Sequence, residues 1–484
     1  MISAVLLAVF LMAMIGVGYW GMKRTTTLAD FFLGGRNIGP WFSAFAYGTT
    51  YFSAVLFIGF AGKLGWGFGL NALWVALGNS FIGALLAWMV LGRRTRIMSQ
   101  NLNAMTMPEF LQERYQVKHI KVLSAAVIFI FLLPYSASVF KGLAHLFESN
   151  FHMPYDTALL LMILVTGIYL VMGGYFAVTM TDFIQGIIML FGAVMLIAVL
   201  TAKAGGLFTA LEGIMHNYPL HVPPARQPSL LMLGSLVFMT SFGVWGLPQM
   251  VQKFYAIKDI RVIPRAAVIT TVFSLIITVT AYFTGALSHV FLDNVPMVNA
   301  KPAFDRLIPY LLTTYLPPWL MAIILLLILS ASMSTLSSLI LVSASAVAID
   351  MYQGHAQPKR SNKQSLAMIR FLSAVFIALS YFIAKYEFAL IITLMALSWG
   401  AVAGSFMAPY VLGLYWKRVS KAGVVAGMLS GLGLAIGLFF AWGPDKSPLA
   451  ASVAMIVPFL VVPAVSVFTK PPKSAVIERA FANI

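Results

Sequence analysis

The chain is dominated by one recurring pattern, an uninterrupted apolar run of about 20 residues, the length an α-helix needs to cross the hydrocarbon core of a bilayer. Such runs fall near 2–21, 40–62, 67–92, 120–147, 156–175, 182–200, 229–248, 265–292, 317–349, 367–384, 387–415, 422–442 and 449–468. They predict an all-α polytopic membrane protein, one transmembrane domain over residues 1–484 with about thirteen spanning helices. A membrane β-barrel is excluded, because its strands would alternate in polarity over roughly 10 residues whereas these runs are continuous. Composition agrees: 61% of the residues are hydrophobic and 9% charged, too apolar a balance for a soluble protein. The absence of cysteine removes disulfides, thiol catalysis and soft-metal clusters.

A net charge of +17 raises the question of a polyanionic partner, and the placement of the basic residues answers it. Counting loops alternately, one side collects Lys23, Arg24 and Arg36, then Arg93 to Lys121, then Lys253, Lys258, Arg261 and Arg265, then Lys359 to Arg370, Lys417 to Lys421 and Lys470 to Arg479. That is most of the 31 Lys and Arg, so the positive-inside rule makes this side cytoplasmic. The expected topology is a multi-pass cell-membrane protein with its N-terminus outside and its C-terminus in the cytoplasm. The basic excess is then topological, and nucleic acid drops out. The first run has no Lys or Arg before it and is followed by Lys23 and Arg24, so it reads as a retained helix rather than a signal peptide. Between runs, Met107–Tyr115 is polar and amphipathic with Pro108 placed to start a helix. Leu207–Pro228, with His216, His221 and several prolines, reads as an external loop that completes no metal site.

The run Leu326–Asp350 carries more hydroxyls than a lipid-facing span needs. Ser330, Ser334 and Ser338 recur at i, i+4, i+8 with Ala331 and Thr335 one position round, forming one narrow stripe. Small residues in such a stripe let a neighbouring helix approach closely; alternatively, their oxygens can serve a dehydrated hard cation. Two other runs carry weak points at mid-depth: Tyr47-Gly48-Thr49-Thr50-Tyr51 in the second, and Thr240, Ser241, Gly243, Gly246 and Pro248 in the seventh. Discontinuous helices five spans apart are what an inverted repeat predicts, with the freed backbone groups facing a central cavity. Of the 14 acidic residues, Asp182 alone is placed beside a membrane cavity, either as a first-turn acid or as a cation ligand. The run of neutral oxygens and the lack of a chain of buried acids favour Na⁺ over H⁺ as coupling ion. A channel would need a continuous polar lining, a sensor a soluble signalling domain, and an enzyme a nucleophile–base pair or metal cluster on a shared face.

Several stretches, taken in order over about residues 2–470, resemble the sodium:solute symporter family, which includes bacterial proline, pantothenate, sialic acid and galactose symporters. They are Ala29-Asp30-Phe31-Phe32-Leu33-Gly34-Gly35-Arg36 with Gly39, Thr106-Met107-Pro108-Glu109-Phe110-Leu111 with Arg114-Tyr115, Gly173-Gly174 through Thr181-Asp182 and Gln185, Gly246-Leu247-Pro248, Met333-Ser334-Thr335-Leu336-Ser337, and Pro409 through Trp416. The resemblance implies a leucine-transporter-like fold: an extra N-terminal helix at 2–21, a first inverted repeat at 40–200, a second at 229–415, and two C-terminal helices within 422–468.

It also implies a ligand set. The main sodium site would use Thr49, Phe52, Ala331, Ser334 and Thr335, and a second sodium site, as in sialic acid members, would use Asp182 with Ser334, Ser337 and Ser338. Substrate would lie among Tyr51, Tyr135, Thr240, Ser241, Trp245 and Gln249. Proline members carry an aspartate where this chain has Tyr51, and Phe242 to Pro248 is similar to the pantothenate branch, whereas Tyr135 fits a proline-type position. The expected activity is Na⁺-coupled import of a small organic solute by a monomer in the lipid bilayer. A carboxylate-bearing solute of the pantothenate or short-monocarboxylate type leads. An amino acid such as proline, or proton coupling, stands as the alternative within the class, and a channel or transport-like sensor as the alternative outside it.

Overall fold

The computed structural model describes residues 2–24, 28–172, 175–353 and 362–484. Gly173, Gly174, Lys359 and Arg360, all used above, lie outside them. After α1 (Ile2–Arg24), α2 (Pro40–Tyr51) opens with a proline whose missing N–H costs nothing at a first turn. The chain is extended at Phe52 (φ −115°, ψ 128°) and resumes at Val55, first as a wide π-helical turn, in a helical run that reaches Asn101 through a left-handed Gly69 (φ 53°). Then come α3 (Lys118–Phe151), α4 (Tyr155–Met172), α5 (Tyr175–Lys203), α6 (Leu230–Phe242), α7 (Pro248–Ala256) and α8 (Ile263–Phe291). The rest is α9 (Pro318–Ser345), α10 (Asn362–Lys385), α11 (Ile391–Tyr415), α12 (Lys421–Trp442) and a final crossing split by Pro458 into α13 (Ser447–Ile456) and α14 (Pro458–Phe468).

Among the described residues, ten helical segments are long and apolar enough to cross a membrane, or eleven if the bent pair α6–α7 counts as one. Burial sorts them. The apolar windows of α9 and α11 are 89% and 94% buried inside the protein, against 22% for α1 and 28% for α10 and α12. The first two form the centre and the other three face outward, presenting large apolar side chains such as Val9, Met12, Phe371, Phe382 and Phe440. Near the centre, helices touch through glycine. A Cβ on Gly285 of α8 would fall on the carbonyl of Ala61, and one on Gly48 of α2 would stand 2.5 Å from the Phe273 ring.

Several expectations change in detail. The first break lies at Phe52, not at Gly48, which stays helical, and the second at Leu247 (φ −84°, ψ 120°), not at Gly243. Each break falls four residues after the expected glycine, so their spacing is preserved. The seventh run does not end at Pro248: beyond a 48° bend, α7 continues for nine residues, every one buried. Lys253, counted above with the cytoplasmic loop cations, therefore sits inside the protein, 1% exposed. Residues Leu207–His221 form a helix rather than a loop. Met107–Tyr115 is helical as expected, with the Thr106 hydroxyl accepting the Glu109 N–H at 3.2 Å. A short hairpin pairs Met297–Val298 with Lys301–Pro302. Asp182 is also not alone among buried acids: Asp305 and Asp350 are buried too, paired with Lys141 at 2.8 Å and Lys121 at 3.3 Å.

Candidate functional site

The site begins where α2 stops. The last carbonyls of a helix have no partner within it, and those around this break turn toward α9. The Thr335 hydroxyl lies 3.4 Å from the Thr49 carbonyl oxygen, 3.1 Å from that of Thr50, 3.5 Å from that of Phe52 and 3.1 Å from that of Ala331. Beside it Ser334 Oγ donates to Thr49 Oγ1 at 2.7 Å. One hydroxyl proton cannot serve four carbonyls, so lone pairs from two helices are left converging on a fully buried point. Neutral, hard oxygens in that arrangement fit Na⁺. All five residues expected at the main sodium site are thus brought together. Sequence reading missed Ser332, whose hydroxyl accepts the Ala54 N–H at 3.1 Å and so satisfies a donor freed by the break.

One turn further along α9, Ser338 Oγ meets Thr50 Oγ1 at 3.0 Å and accepts from Lys253 Nζ at 3.0 Å. Lys253 Nζ is 3.6 Å from Asp182 Oδ2 and 5.2 Å from the centre of the Tyr175 ring. Asp182 and Ser338, two of the residues expected at a second sodium site, therefore share their surroundings with an ammonium group. Ser337 turns its hydroxyl to the Ser334 carbonyl at 2.8 Å, and Ser330 Oγ is buried without a hydrogen-bond partner among the described residues.

On the other side of the break lies a cavity of about 20 Å³ walled by Tyr51, Phe52, Ser53, Asn79, Tyr135, Thr240, Tyr282 and Trp399 among others. Tyr51 Oη donates to the Thr240 carbonyl at 2.6 Å, tying the first broken helix to the second. Trp399 lies nearly parallel to Tyr51 at 6.4 Å and edge-on to Tyr135 at 5.9 Å. Of the expected substrate residues, Tyr51, Tyr135 and Thr240 line this cavity, and three do not. Ser241 donates to Asn79 Oδ1 at 3.3 Å, Trp245 Nε1 to the Ile82 carbonyl at 3.2 Å, and Gln249 is buried in α7 with Oε1 unpartnered. Asn79, Tyr282 and Trp399 were missed, although Asn79, an amide at the middle of the apolar run 67–92, was a readable signal. A second cavity of about 910 Å³ contains Trp66, His221, Arg226 and Asp445. Leu64, Leu236 and Ile392 line it, while Phe60, Thr240 and Met395, about one turn along the same helices, line the small one.

Two discontinuous helices meeting at a buried cavity, with an oxygen cluster beside it, define a multi-pass secondary transporter rather than an enzyme. The sodium:solute symporter family model matches residues 31–431, and the chain belongs to that family. It is 32% identical over 437 residues to the osmoregulated proline transporter OpuE of Bacillus subtilis, covering 88% of this chain and 86% of the relative. Sodium/proline symporter 2 of Staphylococcus saprophyticus is 29% identical over 492 residues, covering 98% and 94%. In fold it resembles a substrate-bound, outward-open Na⁺-coupled sialic acid symporter, with a TM-score of 0.79, 19% identity and coverage of 98% and 99%. It also resembles the nucleobase-cation-symport-1 transporter Mhp1, with a TM-score of 0.56, 13% identity and coverage of 93% and 97%.

Proposed function

We propose that the protein imports proline, or a small amino or imino acid close to it, together with Na⁺ by alternating access. The observation that carries the substrate is the likeness, over nearly the whole chain, to transporters named for proline. The cavity's lining fits it, although at about 20 Å³ the cavity has room for one water and must open to admit solute: Tyr51, Tyr135 and Trp399 offer flat apolar faces to a small ring, and Ser53, Asn79 and Thr240 offer polar groups to its zwitterionic end. The pantothenate-type solute favoured by the sequence becomes the second choice, since no relative named above is a pantothenate carrier. Among the described residues no charged side chain lines the small cavity, so a carboxylate would be held by hydroxyls, amide and freed backbone groups.

Sodium would bind the carbonyls of Thr49, Phe52 and Ala331 with the hydroxyls of Ser334 and Thr335, joining α2 to α9. It would favour the conformation in which these helices are together, because a ligand shifts an equilibrium only by its differential affinity for the two states. The fold is read as thirteen spans. The 47-residue run Val55–Asn101 would be about 70 Å long as a straight helix, more than twice a hydrocarbon core, and Gly69 turns it back. Residues 40–200 and 229–415 then form two inverted repeats, each opening with a broken helix, flanked by α1 and by the helices within 422–468. The N-terminus is outside, the C-terminus is in the cytoplasm, the large cavity faces outward, and the monomer is the working unit.

The test is uptake of radiolabelled proline into proteoliposomes under an inward Na⁺ gradient. Uptake that fails when choline replaces Na⁺, and that unlabelled proline but not pantothenate suppresses, is expected. Uptake driven by a pH gradient in choline would overturn the sodium coupling, and suppression by pantothenate the choice of substrate.

A further inference from the structure

The pair formed by Asp182 and Lys253 has no part in the coupling scheme above, although it is less than one helical turn of α9 from Thr335. Asp182 is fully buried on α5, Lys253 is 1% exposed on α7, and among the described residues neither carboxylate oxygen has a hydrogen-bond partner. The ammonium stands 3.6 Å from the carboxylate and donates to Ser338 Oγ at 3.0 Å, and Ser338 in turn meets Thr50 Oγ1 at 3.0 Å. Without the lysine, the Asp182 carboxylate and the Ser338 hydroxyl that now share its ammonium would be left as hard oxygen donors, the type of ligand sodium takes. With it, the local charge is already balanced.

We propose that the Lys253 ammonium acts as a tethered cation in place of a second sodium ion, so that each chain binds one Na⁺ and Asp182 becomes a sodium ligand only when Lys253 is removed. The proposal rests on the main sodium site as assigned above. A sodium ion at the usual ~2.4 Å from Asp182 Oδ2, which is 3.6 Å from the ammonium, would lie no more than about 6 Å from that charge. At an effective dielectric of about 20, a like charge about 4–6 Å away weakens binding roughly 100- to 1000-fold. A cation borne by α7 also cannot be released to either side. The charge balancing Asp182 stays with the protein through the cycle, and only the main-site ion is carried across. The second broken helix is thereby tied to α5 and α9 by a bond that must stretch or slide whenever α7 moves against them.

The test counts sodium on the purified full-length chain by ²²Na⁺ equilibrium binding, which requires no knowledge of the solute. Wild type is expected to bind one Na⁺, Lys253→Gln two, and Asp182→Asn/Lys253→Gln one. A wild type that binds two, falling to one in the double variant, overturns the proposal, as does a Lys253→Gln variant that keeps the wild-type elution profile and binds only one. If Lys253→Gln does not fold, Lys253→Met, which keeps the side chain's length without its charge, is counted in its place: two ions are expected, one overturns the proposal, and loss of an ion in the double variant relative to wild type also sinks it. Thr335→Ala reads the main site separately. If it leaves the wild-type count unchanged, the main site is wrong, while the difference between wild type and Lys253→Gln still measures the lysine.

Discussion

Thr335 gives the sharpest test of the sodium site, because its hydroxyl stands among carbonyls from both α2 and α9. Thr335→Val removes the oxygen and keeps the shape, while Thr335→Ser keeps the oxygen and removes a methyl. Without sodium, the hydroxyl's 3.1 Å contact with the Thr50 carbonyl is an ordinary buried hydrogen bond, and losing it costs about 1 kcal/mol. With sodium bound, the lost oxygen faces a full charge and the cost rises to about 1.5–3 kcal/mol; the difference from the sodium-free cost, about 0.5–2 kcal/mol, is roughly 2- to 30-fold in affinity. Stabilisation by a ligand at 100 times its Kd is about 2.7 kcal/mol, and a 30-fold weaker site retains about 0.9 kcal/mol of it. A melting curve followed during NaCl titration, with choline chloride holding ionic strength constant, separates the two effects. The valine variant should lose part of the sodium-dependent rise and little of the sodium-free melting temperature, and the serine variant should resemble wild type. A valine variant with the wild-type sodium response, or a serine variant as impaired as valine, refutes the assignment.

Gly48→Ala places a methyl 2.5 Å from the Phe273 ring, an overpacking expected to cost about 1–3 kcal/mol; adding Phe273→Leu should recover part of the melting temperature. Tyr51→Phe deletes the 2.6 Å bond to the Thr240 carbonyl and should raise the KM for proline about 2- to 12-fold, leaving the half-saturating Na⁺ concentration unchanged in the same uptake assay. Lys141→Met strands Asp305 in the interior and should cost about 3–5 kcal/mol, whereas Lys141→Met/Asp305→Leu should be closer to wild type in the same thermal melt.

The parts of this molecule that could be read from sequence are those the bilayer enforces. Lipid demands a run of apolar residues of fixed length, so the helices declare themselves, and it penalises unneeded hydroxyls, so the stripe on α9 stood out. The breaks were found through glycine but misplaced by four residues, because glycine only weakens a helix. Where the helix opens is decided by partners distant in sequence, here Thr335 for the freed carbonyls and Ser332 for the freed N–H of Ala54. Trp399 was hidden for the opposite reason: an aromatic residue inside an apolar run looks the same whether it faces lipid or a buried cavity.

Lys253 shows the limit most clearly. The segment PQMVQKF after a proline has the polarity of a loop, and periodicity cannot tell a polar helix wrapped in protein from one bathed in water. Removing Lys253 from the loop tally leaves Lys258, Arg261 and Arg265 at the same end, so the proposed orientation survives the correction. The proposed sodium count is more sensitive, since an ammonium inside the protein competes with a second ion and one outside does not. Topology is a sum over many charges and tolerates one misplaced residue. Stoichiometry at a buried site rests on individual charges, and in the scheme proposed above only the three-dimensional position of Lys253 distinguishes a chain that binds two sodium ions from one that carries half of that charge on its own helix.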